Sequence, residues 1–236
     1  MNKIFNLYYF TSVTSTMDVI RNYPPNTVII ADEQIAGRGK QDRKWFSERS
    51  NNLYMSLSIE ATNDRVNYSN YSFLISIAMI RAIEELVKKP PILKTKWPND
   101  ILVNNKKVGG ILLEMDWQKH LLVIGIGLNL NRHPNRSETT LFEPSDLSSE
   151  GYILSRQDII DQFLKYFGTY SQILEEQGFE PIRNIWLGYA YNLGKEITVK
   201  VNSLITNGIF ENMDQDGSLV LVTENGKVYI KSADIF

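Results

Sequence analysis

The stretch that most constrains this chain runs from Lys94 to Asn131, KTKWPNDILVNNKKVGGILLEMDWQKHLLVIGIGLNLN. Ile101-Leu102-Val103 is an apolar, strand-forming run, and Asn104-Asn105 supplies two residues that tolerate positive φ at a tight turn. Val108 to Met115 is then the return strand, and Val123 to Leu130 a third. A two-residue loop sets Leu102 opposite Lys107 and Asp100 opposite Gly109. Side-chain alternation then predicts Asp100, Leu102, Lys107 and Gly109 on one face. Asp100 and Lys107 become diagonal neighbours, roughly 7–8 Å apart. Before the hairpin, Pro98 fixes its own φ and biases Trp97 towards an extended backbone. Gly125 and Gly127, two apart, clear a groove on one face of the third strand, and Asn129 continues that face with an amide. A lysine and an aspartate over glycine describe either a ligand groove or a solvated outer face. The second glycine pair, Gly109-Gly110, favours the groove.

The rest of the chain supplies a body for this site. With 236 residues it is long enough for one large domain plus a small one. A net charge of −2, from 25 basic and 27 acidic residues, argues against a surface built to coat nucleic acid. No cysteine is present, which excludes disulfides, cysteine zinc sites and thiol nucleophiles, and two histidines are too few for a histidine metal cluster. No apolar run approaches membrane-spanning length, and MNKIFNLYYF does not read as a signal peptide. A cytoplasmic protein is the expectation.

In order, Ile4 to Phe10 reads as a strand, followed by a hydroxyl-rich turn whose serine or threonine would cap a short helix Met17–Asn22. Asn26 to Asp32 is a β-branched strand. It leads into Gln34 to Arg49, where Gly37 and Gly39 alternate with Arg38, Lys40 and Arg43 and few apolar anchors occur. Such a segment is expected to be mobile until a partner orders it, and its amides and cations suit a phosphate or carboxylate. It is not a Walker loop, because the spacing is wrong. Leu53 to Ile59 alternates as a half-buried strand. Ser69 to Lys88 is an amphipathic helix stopped by Pro90-Pro91, and Arg156 to Gln177 is a second, closed by Gly178. Between them a polar stretch to Glu150, with Pro134 and Pro144, is expected as a loop over the sheet. Trp186 within Pro181 to Tyr189 is a packing anchor. From Leu193 four short strands, Ile197–Val201, Thr206–Asn212, Ser218–Thr223 and Lys227–Ser232, punctuated by Asn207-Gly208, Asp216-Gly217 and Asn225-Gly226, read as a small antiparallel barrel.

K-W-P-N-D, a lysine seven residues on, then G-G-I-L-L-E and G-I-G-L-N together resemble the central signature of the biotin–protein ligases. Gly37 to Trp45 resembles the family's adenylate-binding loop, usually G-R-G-R-x-G-R-x-W, with Lys40 in place of an arginine and Asp42 in place of a glycine. The resemblance extends from about Thr11 through the last residues. It implies an α+β fold, a catalytic domain (1–190) with a mixed β-sheet flanked by helices, like class II aminoacyl-tRNA synthetases. A small C-terminal SH3-like β-barrel (191–236) would follow. It implies activation of biotin with ATP to biotinyl-5′-AMP, with Mg²⁺ on the phosphates, and transfer to a lysine of a biotin carboxyl carrier protein. Lys107, Arg38 and Asp100 would be catalytic. Biotin would meet Ser15, Thr16, Gln34, Arg38, Gly39, Lys40, Lys107, Gly109, Gly125 and Gly127, with Ser15-Thr16 at the ureido ring. The family often has asparagine where this chain has Met17. ATP would meet Arg38, Lys40, Arg43, Trp45, Asn99, Asn129 and Asn131.

Lys107 and the loop cations would offset carboxylate–phosphate repulsion, and Asp100 would take a proton from the attacking amine. No side-chain metal site is expected. Three rivals differ in sequence. A lipoate or octanoate ligase carries a different glycine signature followed by a histidine. A ligase–repressor needs a DNA-binding helix-turn-helix, and only about ten residues precede Thr11. A non-catalytic biotin-binding module has no use for Lys107, Arg38 and Asp100. The expected protein is a monomer or homodimer that touches neither DNA nor membrane.

Overall fold

A computed structural model describes the chain except residues 1–3, 42, 62–66, 135–141, 202–203 and 236. Asp42, the departure from the family's loop glycine, therefore lies outside the described residues, as does most of the expected loop after Pro134.

Seven strands form one mixed sheet. They are β1 (Asn6–Val13), β2 (Thr27–Gln34), β3 (Leu53–Glu60), β4 (Leu93–Lys96), β5 (Asp100–Val103), β6 (Lys106–Asp116) and β7 (Leu121–Leu128). Their order is β1-β2-β3-β7-β6-β5-β4, with β1 and β2 parallel and every other pair antiparallel. On one face lie α2 (Tyr71–Leu86), α3 (Arg156–Gln177) and α4 (Glu180–Tyr189), which bury the larger core cluster. On the other, α1 (Thr16–Val19) and a 3₁₀ turn (Ile20–Asn22) cover Ile29, Leu121 and Val123. Both faces of the sheet centre are thus occupied. β3, expected to be half-buried, is buried from Leu53 to Ile59, because its serines also face a covered side.

The long helices end where their punctuation says. Gly178 takes φ 77° after α3, and its N–H donates to Leu174 O at 3.2 Å. α2 stops at Leu86, before Pro90-Pro91. Trp186 anchors α4, with its indole N–H donating to Ser76 Oγ at 3.1 Å and its ring edge-on to Phe73. Ser15 does occupy the N-cap of α1, but it makes no side-chain cap bond. The hydroxyls of this turn serve something else.

The C-terminal strands β8 (Glu196–Val201), β9 (Leu204–Met213), β10 (Leu219–Thr223), β11 (Gly226–Ile230) and β12 (Asp234–Ile235) form an antiparallel sheet in the order β11-β10-β9-β8-β12. No pairing among the described residues closes it into a barrel. Asn207-Gly208 is not a turn. It lies inside β9, where a Cβ on Gly208 would sit 2.6 Å from Val222 O, so glycine there permits close approach of the neighbouring strand. Hydrogen bonds join this part of the chain to the rest: Trp97 Nε1 donates to Gly217 O at 2.9 Å, and Arg183 Nη2 of α4 donates to Asn212 Oδ1 of β9 at 2.9 Å. Among the described residues no helix is long and apolar enough to cross a membrane.

Candidate active site

The hairpin turn forms as its sequence requires, with Asn104 and Asn105 at φ 50° and 65°. Leu102 pairs with Lys107 as expected, but the register then shifts: Ile101 pairs with Gly109 and Asp100 with Gly110. The extra residue is Val108, a β-bulge that inverts the alternation beyond it. Gly109 consequently turns into the core, where a Cβ would meet Leu128 Cδ1 and Ile101 Cβ, and Gly110 takes the place expected of it. Lys107 keeps its face and reaches Asp100, Nζ to Oδ1 2.6 Å. The bulge brings together the pair that the sequence singled out while replacing the glycine beneath it.

These groups line a cavity of about 780 Å³ on the sheet face opposite the three long helices. Gly125 lies under Met17, whose Sδ would be 2.6 Å from an added Cβ, and Gly127 lies under the Trp45 indole. Either substitution displaces a side chain from the cavity wall. Ser15, Thr16 and Gln34 line one part of it. Gln34 Oε1 accepts from Thr16 N at 2.9 Å, Gln34 Nε2 donates to Ser47 Oγ at 2.9 Å, and the Thr16 hydroxyl bonds Ser56 Oγ at 2.7 Å. Ser15 Oγ and Trp45 Nε1 are buried without a hydrogen-bond partner among the described residues. Both residues line the cavity, so these atoms have hydrogen-bonding capacity left for whatever occupies it.

The loop after β2 folds over the sheet as a tight reversal. Gly39 N donates to Arg43 O at 2.7 Å and Trp45 N to Gly37 O at 2.9 Å. Arg38 is held at the rim by Asp18 (2.8 Å) and Glu114 (3.1 Å). Arg43 reaches across to Asp234 of β12 at 2.5 Å, so the C-terminal sheet closes one side of the cavity through Ala233, Asp234 and Ile235. Lys40 also lines the wall, and burial pushes its ammonium below the ordinary lysine value against the pull of Asp100 and Asp234.

Asn99 and Asn129 line the cavity too; Asn99 Nδ2 donates to Ile111 O, and the buried Asn129 amide donates to Ser145 O. Asn131 stands apart. It is exposed and absent from the lining, with its backbone N–H donating to Asn52 Oδ1 at 3.1 Å. The same Asn52 oxygen accepts from Leu130 N and Arg132 N, which fixes the chain as it leaves β7.

The motif letters did not identify every wall residue. Lys96, the first residue of K-W-P-N-D, is 6% exposed, 4.0 Å from Asp100 Oδ2 and 4.2 Å from the centre of the Phe142 ring. Asp234, Phe142 and Gly110 also belong to the wall. Of these only Lys96 and Gly110 sat inside a visible motif. Glu143 O and Lys107 O bond across to Lys107 N and Ser145 N at 2.9 Å, so the segment after the undescribed residues clamps the backbone of Lys107.

Comparison with known proteins agrees with this geometry. A sequence model of the biotin/lipoate A/B protein ligase family matches residues 7–131, and one of the biotin protein ligase C-terminal domain matches residues 193–236. The chain is 33% identical to the bifunctional ligase/repressor BirA of Bacillus subtilis, over 91% of this chain and 67% of that one. It is 31% identical to the biotin–[acetyl-CoA-carboxylase] ligase of Paracoccus denitrificans, over 88% and 89%. A biotin protein ligase from Aquifex aeolicus, solved with biotin and ATP, superposes with a TM-score of 0.85 at 25% identity, covering 98% of this chain and 97% of that one. A cavity floored by Gly125 and Gly127 and a lysine–aspartate pair on the hairpin are thus set in a chain that belongs to the biotin/lipoate A/B protein ligase family.

Proposed function

We propose that this chain is an ATP-dependent biotin–protein ligase, which forms biotinyl-5′-AMP and passes the biotinyl group to a lysine of a carrier protein. The observation that carries the reading is the placement of Lys107 and Asp100 at 2.6 Å beside a glycine-floored cavity with a serine hydroxyl that has no partner among the described residues. Biotin's fused ring needs a groove cleared of side chains, and its ureido group needs donors and acceptors at the end, which Ser15, Thr16 and Gln34 provide. Its carboxylate then points along the floor towards Lys107.

Bringing that carboxylate to the α-phosphate sets two anions together, so the protein's work is positioning and charge neutralisation. Lys107 exchanges Asp100 for the reacting oxygens. The carboxylate oxygen bonds to the α-phosphorus, the bond from that phosphorus to the bridging oxygen breaks, and pyrophosphate leaves with the electron pair. Trp45 and the folded loop above it keep water from the anhydride. In the second step the acceptor amine attacks the carbonyl, Asp100 takes its proton, and AMP departs.

Mg²⁺ enters with the nucleotide in this reading. The described residues hold no group of three or more acidic, histidine or cysteine ligands, and both Asp100 oxygens already face lysines, so they do not form a protein cage for the ion. No step here is assigned to it.

The same reading places the protein in the cytoplasm and divides it at residues 190/191. The mixed sheet is taken to be of the class II synthetase type, and the C-terminal sheet to be an open form of the SH3-like barrel. The matches of family models to residues 7–131 and 193–236 support that division.

Pyrophosphate exchange into ATP, run in parallel with biotin, lipoate and octanoate, tests the function. Stimulation by biotin is expected; stimulation by either other acid without biotin would replace this reading with that ligase. A second expectation concerns the loop. Protease cleavage between Arg38 and Lys44 should slow when biotin and ATP are added together, because in this reading the adenylate contacts Arg38, Lys40 and Trp45 and holds the loop in place. Equal cleavage rates would remove the lid role.

A further inference from the structure

The strand register sets four residues in one row across the sheet. Gly127 of β7 pairs with Gly110 of β6, Gly110 with Asp100 of β5, and Asp100 with Lys96 of β4. At about 4.8 Å per strand, Lys96 starts some three strand spacings from the bare glycine under Trp45. The row thus runs from a floor without side chains to a concentration of charge. Lys96 meets Lys40, Lys107, Arg43, Asp100 and Asp234 there, contributed by the loop after β2, β6, β5 and β12.

These charges do not balance. Among the described residues, Arg43 is paired with Asp234 at 2.5 Å and Lys107 with Asp100 at 2.6 Å, which leaves Lys96 and Lys40 without a close carboxylate of their own. Lys96 stands 4.0 Å from an aspartate already engaged by a nearer lysine. It is almost fully buried, its ammonium faces the Phe142 ring, and it lines the cavity. A cation kept there at a desolvation cost, with so little compensation, is placed for an anion that arrives with the substrate.

We propose that Lys96 anchors the β- and γ-phosphates of the nucleotide and the pyrophosphate they become, with Lys40 as its partner from the loop. This rests on the ligase reading and deepens it: Lys107 serves the reacting α-phosphate and carboxylate, and Lys96 the leaving group. When the bond between the α-phosphorus and the bridging oxygen breaks, the electron pair and its charge move onto the pyrophosphate. A buried ammonium at that oxygen stabilises charge that develops only as the bond breaks.

Burial also gives the site a signature. The empty enzyme holds Lys96 below the ordinary lysine value, chiefly by desolvation, and Lys40 likewise. An arriving polyanion favours the charged form, raises that value and draws in a proton at alkaline pH.

The test is calorimetric titration of the full chain with inorganic pyrophosphate at alkaline pH, in buffers of different ionisation enthalpy. Binding by the unaltered protein should be accompanied by proton uptake. Lys96→Met should weaken pyrophosphate on the order of 10–100-fold, the range for losing one charged hydrogen bond, and reduce the uptake, while biotin affinity is retained. Lys96→Arg should restore most of the affinity. Lys40→Met should remove a separate share of both signals. If Lys96→Met binds biotin normally and pyrophosphate as tightly as the unaltered chain, Lys96 only balances Asp100 and the proposal fails. Biotin-dependent exchange by the unaltered chain is scored separately: its absence sinks the ligase reading, while the titration still decides whether Lys96 holds pyrophosphate.

Discussion

Lys107→Ala is expected to slow formation of the adenylate by on the order of 10²–10³, the usual consequence of removing one preorganised donor from developing charge. In the empty cavity the Lys107 ammonium is held 2.6 Å from Asp100, with its backbone clamped by Glu143 and Ser145, so it is aimed before substrate arrives. The variant loses the charge that offsets carboxylate–phosphate repulsion and leaves Asp100 facing the two anions with, among the described residues, Lys96 at 4.0 Å and the more distant Lys40 to balance it. Single-turnover measurement of adenylate formation at saturating biotin and ATP isolates the step. Biotin binding measured alone should weaken far less than adenylate formation slows, because in the proposed reading Lys107 meets only the carboxylate end of biotin. A normal rate of adenylate formation would remove Lys107 from the first half-reaction.

Asp100→Asn is expected to divide the two half-reactions. Adenylate formation survives, since the change frees Lys107 for the incoming anions. Transfer to the acceptor lysine slows by roughly 10²–10⁴, the range for a positioned general base. The sign of the pH dependence follows from the acceptor. An amine with an unperturbed value near 10.4 is mostly protonated at neutral pH, and its neutral fraction rises about tenfold per pH unit below that value. A base matters less as the amine arrives neutral, so the Asp100→Asn defect should shrink as pH rises. Following the decay of preformed adenylate on mixing with carrier protein, from neutral to alkaline pH, measures this directly. Equal slowing of both half-reactions would assign Asp100 to charge balance alone.

What could be read from sequence depended on whether a local rule decided it. Asn104-Asn105 specified the turn because few residues accept two consecutive positive φ values. Gly125 and Gly127 were legible as a floor because alternation keeps residues two apart on one face. The same rule failed one strand away, where the bulge at Val108 changed the parity and exchanged Gly109 for Gly110. Nothing in Lys106 to Gly110 announces an extra residue, since the bulge is settled by burying Val108 against the helices. Asn207-Gly208 misled for the opposite reason: a good turn sequence was used to let two strands approach. Lys96 could not be placed without β4, whose four residues LKTK carry no pattern strong enough to predict a strand. Asp234 and Asn52 reach their partners across long stretches of chain, and no periodicity records such contacts.

The ion pair between Arg43 and Asp234 has a consequence for the enzyme during its synthesis. The strands of the seven-stranded sheet have all been made by Leu128 and the helices that bury its core by Tyr189, whereas the wall residues Ala233 to Ile235 follow later. Ribosomes elongate at about 5–20 residues per second, and domains tend to fold in the order they emerge. For roughly 2–9 s at that rate the nascent chain therefore has its glycine floor and its lysines but lacks the side that latches the loop. An adenylate made in that interval would lie open to water, and the late arrival of Asp234 sets the time at which the newly made enzyme can first retain its intermediate.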